Sequence, residues 1–145
     1  MGARVVLDAQ PVVAFFTSEP ATSEVAALIA GERAQMSVAN AGEVLDVLIR
    51  VRRLDAVEAR RAIETLLDEA VEGLPVTREV ALRAAELRAD AYRRRHLEVS
   101  FADCVAIATA EPDGRVATSD AALATVARDE GLEVVALPDS GGRRP

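Results

Sequence analysis

The sequence predicts an α/β domain with a mostly parallel central β-sheet of about five strands and helices on both faces. Short apolar runs alternate with longer segments whose apolar residues recur at helical spacing. This alternation occurs five times, with the helical segments coming singly or in pairs. A chain of 145 residues, half of them apolar, is long enough for one sizeable core without disulfide bonds.

The predicted strands are short, mostly apolar segments bounded by turn residues: residues 5–7, 35–38, 74–77, 115–117 and 133–137. The predicted helices are residues 8–16, 22–31, 40–51, 55–73, 80–95, 100–110 and 120–131. Val44, Val47 and Val51 illustrate the spacing of a buried helix face. Pro11 is tolerated in a first helical turn, and Gly31 is typical of a helix end.

We expect a single domain over residues 1–138, because no repeat, linker or low-complexity segment divides the chain. Residues 139–145, with two glycines and two arginines, are predicted to form a flexible C-terminal tail. No apolar run approaches about 18 residues, and no signal-peptide pattern is present. The single cysteine suits a reducing compartment. These features predict a cytoplasmic protein without a membrane segment.

The net charge of −7 argues against a nonspecific nucleic-acid binder, which would usually be basic. The basic clusters are Arg50 with Arg52 and Arg53, and residues 93–95. Both lie near predicted helix C-termini, where cations are favourable beside the helix dipole. Contact with RNA phosphates is an equally open alternative. Because Tyr92 is the only tyrosine, the sequence indicates no aromatic platform for base-specific reading.

Four acidic residues lie at or near the starts of predicted helices: Asp8, Glu43, Asp103 and Asp120. Each has a purely structural explanation. Asp8 and Asp120 can cap the helices that they open. Glu43 has capping-box spacing from Asn40, and Asp103 has the same spacing from Ser100.

The placement of these acids favours a shared site as the alternative. Asp8 and Asp120 follow predicted strands, and ligands of parallel sheets bind beyond the carboxyl ends of the strands. Asp103 joins them only if the fold brings its helix to the same edge. Four converging carboxylates could not all stay ionised without a compensating charge. Mg²⁺ or Mn²⁺ suits oxygen ligands, whereas one histidine and one cysteine cannot supply a usual zinc site.

Four ordered motifs carry a resemblance to a known family: Val-Val-Leu-Asp8-Ala, Ser37-Val-Ala-Asn-Ala-Gly-Glu43-Val-Leu, Phe101-Ala-Asp103-Cys-Val-Ala-Ile-Ala-Thr-Ala and Val116-Ala-Thr-Ser-Asp120-Ala-Ala-Leu-Ala. In these motifs the chain resembles the PIN-domain family and, within it, the VapC-type toxins of bacterial type II toxin–antitoxin systems. The resemblance implies a PIN-like fold and a metal-dependent endoribonuclease using Mg²⁺ or Mn²⁺.

The resemblance also assigns roles to individual residues. Its catalytic and metal-binding quartet would be Asp8, Glu43, Asp103 and Asp120. Thr118 and Ser119 occupy a hydroxyl-bearing position before the last aspartate, where they would support the site. Gln10 departs from the pattern, because a small Ser or Thr commonly follows the first aspartate by two residues.

The partners implied by the resemblance are an RNA substrate such as transfer or ribosomal RNA, a small cognate antitoxin protein and a second copy of the chain in a homodimer. One alternative is a non-catalytic PIN-like module that binds RNA or protein, which the four intact acids argue against. Another is an acidic α/β enzyme such as a phosphatase, for which no glycine loop or nucleophile motif is present. His96 is interpreted as a solvated loop residue, and Cys104 as a buried, inert thiol.

Overall fold

The computed structural model describes residues 2–145. Its strands are β1 (Arg4–Leu7), β2 (Arg33–Ser37), β3 (Glu72–Leu74), β4 (Arg115–Thr118) and β5 (Glu133–Ala136). Its helices are α1 (Ala9–Thr17), α2 (Thr22–Gly31), α3 (Val38–Arg50), α4 (Ala56–Glu69), α5 (Arg78–Asp90), α6 (Phe101–Ala110) and α7 (Ala121–Asp129). A π-helical turn, Ala91–Arg95, continues α5.

The strands form one sheet in the order β3-β2-β1-β4-β5. Every strand pair in this sheet is parallel, so the sheet is parallel throughout rather than mostly parallel. From β1 the chain first builds outwards through β2 and β3, and then returns to place β4 on the opposite side of β1. The direction of winding therefore reverses between β1 and β4.

Alternating side chains of the strands divide the core into two layers. Val5 and Leu7 pack on one face of the sheet with residues of α1, α2, α3 and α4. Val6 points to the other face and packs with residues of α5, α6 and α7. A parallel sheet covered on both faces explains why its strands are apolar throughout. The predicted α/β architecture with helices on both faces is confirmed.

Two strands differ from their predicted positions by more than one residue. β2 begins at Arg33, two residues before the predicted start. β3 lies over Glu72–Leu74 instead of residues 74–77, so Gly73 is part of the strand and does not close α4. The pairing of Met36 with Gly73 sets this position, and Pro75 cannot donate a further ladder hydrogen bond.

The last residues of the chain contact the body of the protein. The Asp139 carboxylate accepts hydrogen bonds from the backbone N–H groups of Gly141 and Arg143. The Arg144 guanidinium pairs with Glu24 of α2 at 2.6 Å. The division into a domain of residues 1–138 and a tail of residues 139–145 stays a prediction.

No single helix within residues 2–145 is long and apolar enough to cross a membrane. By length and composition alone, α1 and α2 together would be, but they are bent by 111° relative to each other.

Gly114 allows α6 and β4 to approach closely. A Cβ atom there would clash with the backbone carbonyl oxygen of Ala110, which also accepts the Gly114 N–H at 2.7 Å. We expect Gly114→Ala to lower the free energy of unfolding by roughly 1–3 kcal/mol. Gly42 of α3 has open space around it, so Gly42→Ala should raise that free energy by roughly 0.5–1 kcal/mol. Urea titration measures both, and an unchanged Gly114→Ala protein would contradict the steric explanation.

Candidate active site at the carboxyl ends of β1 and β4

The carboxyl ends of β1 and β4 lie side by side where the winding of the sheet reverses. Leu7 pairs with Ala117 in the register of the two strands. The backbone N–H of Asp8 then donates to the Ala117 carbonyl oxygen at 3.0 Å. Open parallel sheets form their binding crevice at such a reversal. Asp8 and Thr118 therefore emerge together at the edge where a ligand site is expected.

The Thr118 hydroxyl joins two of the predicted acidic residues. It donates to Oδ2 of Asp8 at 2.9 Å and accepts the backbone N–H of Asp120 at 3.0 Å. Asp8 is only 3% exposed, and its Oδ1 accepts the Ala9 N–H at 2.8 Å. Thr118 is fully buried, whereas the half-buried Ser119 makes no side-chain hydrogen bond within residues 2–145. Of the two hydroxyls, only that of Thr118 contacts the acids.

Asp103 and Asp120 are helix caps, as predicted. The Asp120 carboxylate accepts the Leu123 N–H at 2.8 Å at the start of α7. Asp103 and Ser100 form a reciprocal capping box at the start of α6, with hydrogen bonds of 2.8 and 3.0 Å. Each cap engages one carboxylate oxygen. The other oxygen of each carboxylate has no hydrogen-bond partner among the described residues and remains available for a ligand.

Glu43 is not a capping residue, and the predicted capping box with Asn40 is wrong. β2 runs directly into α3, so Ser37 becomes the cap and accepts the Ala39 N–H at 3.2 Å. Glu43 consequently lies beyond the first turn of α3. Its Oε2 is buried and has no hydrogen-bond partner within residues 2–145. Capping therefore cannot explain this carboxylate.

Asn40 is a contributor to the site that the sequence analysis misassigned. Its side chain is fully buried and donates from Nδ2 to the Ala102 carbonyl oxygen at 3.0 Å. This bond ties α3, which carries Glu43, to the first turn of α6, which carries Asp103. Asparagine is unfavourable inside a helix because it competes for backbone hydrogen bonds. That disadvantage was the available signal that Asn40 serves another purpose.

The pKa values show that the four carboxylates share one electrostatic environment. Burial raises the pKa of Asp8 to about 7, and the negative charges of Asp103 and Glu43 add to the rise. Burial and the Asp103 charge raise the pKa of Glu43. The pKa of Asp103 is raised by burial and then by the charge of Asp120. Asp103 thus interacts with all three other acids and lies at the centre of the cluster.

The donor atoms of this cluster fit a hard divalent cation. All are oxygens, which Mg²⁺ and Mn²⁺ prefer. The unpartnered, buried oxygen of Glu43 is an atom that a cation would satisfy. Within residues 2–145, no three Asp, Glu, His or Cys side chains are already arranged around a common metal position. Rotation of these side chains would therefore have to accompany metal binding.

His96 and Cys104, to which the sequence analysis gave no catalytic role, are not part of the acidic cluster. His96 is exposed and ends the π-helical turn with a left-handed φ of 53°. Cys104 is buried, and burial raises the pKa of its thiol to about 11. A thiol with this pKa is protonated at neutral pH and is a poor nucleophile.

Most of the clustered arginines form ion pairs. Arg50 pairs with Asp46 at 2.8 Å, as its i,i+4 spacing indicates, and Arg52 pairs with Glu19 at 2.7 Å. Arg94 and Arg95 pair with acids on α5 and α7: Asp90 and Asp129. Arg53 and Arg93 have no ion pair among residues 2–145. Whether either cluster contacts RNA stays open.

The fold and the site together define a class of protein: a doubly wound α/β domain with an acidic cluster where the winding of the sheet reverses. The sequence pattern of the PIN domain matches residues 5–136, so the chain belongs to the PIN domain family. Members of this family are typically nucleases. The resemblance drawn from the four motifs is confirmed at the level of the family. No curated protein matches the chain in sequence.

Solved toxin–antitoxin structures share the fold. VapBC2 from Rickettsia felis, bound to a DNA fragment from the promoter, aligns with a TM-score of 0.68 at 11% identity over 90% of this chain and 96% of that chain. FitAcB from Neisseria gonorrhoeae aligns with a TM-score of 0.63 at 21% identity over 90% and 95%. VapC20 from Mycobacterium tuberculosis, a toxin that cleaves the sarcin-ricin loop, aligns with a TM-score of 0.59 at 22% identity over 72% and 79%.

The raised pKa of Asp8 predicts that the metal-free protein loses stability as the pH rises. The pKa of Asp8 is about 7 in the folded protein, against an ordinary value of 3.8. Its contribution to stability is therefore full below about pH 4 and is lost as the pH rises through 7. We expect the melting temperature in chelator to fall by roughly 5–10 °C across this range. Calorimetry should show a smaller fall in melting temperature for the Asp8→Asn protein, because the amide stays neutral at every pH.

Asp55 supplies the matched control for this measurement. It caps α4 through the N–H groups of Val57 and Glu58, but it is exposed. Asp55→Asn should keep the pH dependence of the unmodified protein. Identical pH profiles for Asp8→Asn and the unmodified protein would contradict the assigned role of Asp8.

Proposed function

We propose that this protein is a metal-dependent endoribonuclease of the toxin type, which hydrolyses RNA phosphodiester bonds with an acidic quartet. The quartet consists of Asp8, Glu43, Asp103 and Asp120. The observation that carries the proposal is that these carboxylates share one environment at the winding reversal of a PIN domain. None of them has an ion pair with an arginine or histidine within residues 2–145. A cluster of acids without a cation is poised to bind one.

The quartet would hold Mg²⁺ or Mn²⁺ through its carboxylate oxygens. A bound divalent cation lowers the pKa of water and stabilises charge on phosphate oxygens. Thr118 fixes the orientation of the Asp8 carboxylate through its hydrogen bond. Glu43, with a raised pKa and a free oxygen, can accept a proton from the attacking water or orient that water. Both roles leave the carboxylate in place throughout the reaction.

Three helix N-termini add a favourable field for the substrate. α1, α6 and α7 begin next to Asp8, Asp103 and Asp120. Helix N-termini carry partial positive charge and favour phosphate. This field offsets part of the repulsion between an acidic protein and RNA.

The solved structures with this fold also support a proposal about the partners of this chain. FitAcB, VapBC2 and a toxin–antitoxin complex from Klebsiella pneumoniae are structures of this fold. We propose a small antitoxin as the partner of this chain, a homodimer as its assembly and the cytoplasm as its compartment. VapC20 cleaves the sarcin-ricin loop, so ribosomal RNA is a candidate substrate beside transfer RNA.

Amide substitutions separate catalysis from capping, because Asn caps a helix about as well as Asp. We expect Asp8→Asn, Glu43→Gln, Asp103→Asn and Asp120→Asn to lower the RNA cleavage rate by roughly 100-fold or more, with little loss of melting temperature at neutral pH. Cleavage of total RNA, with sequencing of the new ends, measures this in Mg²⁺, in Mn²⁺ and in chelator. Chelator should abolish cleavage by the unmodified protein.

Asp55→Asn is again the matched control, since Asp55 caps a helix outside the cluster. It should keep full activity. Full RNA cleavage activity in the Asp8→Asn and Asp103→Asn proteins would contradict the assignment of the four acids as the catalytic quartet. RNA binding without metal-dependent cleavage by the unmodified protein would instead favour a non-catalytic binding module.

The toxin proposal predicts an effect on growth. Expression of the protein in bacteria should arrest growth, whereas Asp8→Asn at equal abundance should not. The gene immediately upstream is the place to look for the antitoxin. A small protein encoded there should restore growth when it is coexpressed, and it should co-purify with the unmodified chain. Growth arrest by both proteins would show that the arrest does not depend on the acidic site.

A further inference from the structure

The four aromatic side chains of this protein fall into two groups. Phe15 and Phe16 pack edge to face, with ring centroids 5.3 Å apart, against the core beside α1. Tyr92 and Phe101 are 44% and 45% exposed. Although they come from different elements, both line the same groove. Both aromatic rings that the core does not use are thus brought together at one place on the surface.

The groove has the shape and chemistry of a site for one flat ring system. Its volume is about 280 Å³, and Ala85, Arg88 and Ala89 complete its lining. The Arg88 guanidinium lies over the Tyr92 ring, 4.9 Å from the centroid. Its Nε also donates to the Val99 carbonyl oxygen at 3.1 Å. The arginine is therefore held in place before any ligand arrives, and it forms no ion pair within residues 2–145.

The groove and the acidic cluster share the first turn of α6. Phe101 is the first residue of α6, and Asp103 lies in the same helical turn. Arg93, exposed and without an ion pair among the described residues, follows Tyr92 in the chain. Phe101 and Asp103 are two residues apart in this turn and project from different sides of the helix, so a nucleotide joining the two would pass around the start of α6, where Arg88 supplies positive charge beside the rings.

We propose that the groove formed by Arg88, Tyr92 and Phe101 binds an unpaired nucleobase next to the scissile phosphate. Unpaired RNA bases stack on aromatic rings and on arginine planes. A base in a continuous duplex cannot leave its stack as readily, so the substrate class is RNA with a single-stranded loop or bulge. This inference rests on the proposed ribonuclease activity for its substrate. It differs from the expectation drawn from the sequence, in which no aromatic platform for base-specific reading is indicated.

Charge favours a nucleobase over an apolar peptide as the occupant. The Arg88 guanidinium beside the rings would be poorly matched to an apolar partner, because its desolvation would be uncompensated. With RNA, the same guanidinium can contact a phosphate or the base plane while the rings contact the base. The alanine side chains lining the groove leave room for a planar group.

The test uses RNA hairpins with 2-aminopurine in an unpaired loop, and a continuous duplex of the same length with 2-aminopurine as a paired base. The protein carries Asp8→Asn in the presence of Mg²⁺, so that the RNA stays intact. We expect the loop probe to lose fluorescence on binding through stacking, and the duplex to bind more weakly. Phe101→Ala should raise the Kd for the hairpin by about tenfold or more and restore fluorescence. Phe101→Tyr, which keeps the ring, should retain both properties.

Cleavage by protein with the intact quartet gives an independent readout. Phe101→Ala and Tyr92→Ala should raise KM for loop substrates more than they lower kcat. Val57, 66% exposed on α4 and outside the groove, supplies the control, and Val57→Ala should change neither constant. Unchanged Kd and KM in the Phe101→Ala protein would overturn the inference while leaving the nuclease proposal intact. Stacking of the loop probe without any cleavage by the unmodified protein would support base binding in the groove and contradict the nuclease proposal.

Light scattering separates base binding from a role of the groove in self-association. We expect Phe101→Ala and Tyr92→Ala to keep the mass of the unmodified protein in solution. A change to a smaller species in step with the loss of RNA binding would identify the groove as a protein interface and overturn the inference. Failure of every hairpin to bind would overturn it as well.

Discussion

The burial of Asp8 beside three other carboxylates is the constraint on which the rest of this structure depends. A buried carboxylate is stable only when it is neutralised or paired, and no arginine or histidine among the described residues pairs with Asp8. The fold tolerates this because β1 lies at the centre of a parallel sheet with apolar layers on both faces. The unfavourable charge is thus concentrated at one edge and is stabilised by packing elsewhere, an arrangement typical of functional sites.

Capping and ligand binding are compatible functions of the same side chain. Asp103 and Asp120 each engage one oxygen with helix N–H groups and leave the other free. The sequence could not separate the two interpretations for these residues, because one carboxylate can serve both functions. Only for Glu43 does the structure remove the capping explanation.

The features predicted from sequence are those that local rules determine. The helix caps Asp8 and Asp120, the helical spacing in α3 and the alternation of strands and helices can each be recognised from a few neighbouring residues. The misplaced features depend on distant parts of the chain. The position of β3 follows its pairing with β2, and Asn40 bonds a carbonyl 62 residues away. Likewise, Asp103 reaches the other acids only because α6 packs against α3 and the edge of the sheet.

Net charge is a poor guide to what an acidic α/β protein of this kind can bind. The value of −7 includes acids that are compensated locally, such as Asp46 by Arg50 and Glu24 by Arg144. It also includes the buried cluster, where a raised pKa keeps Asp8 partly protonated near neutral pH. The field near the site is shaped by three helix N-termini and by Arg88, whose charge no acid neutralises within the described chain. Under the proposed function, affinity for RNA would therefore depend on this local field, and its salt dependence would reflect the few phosphates contacted rather than the total charge.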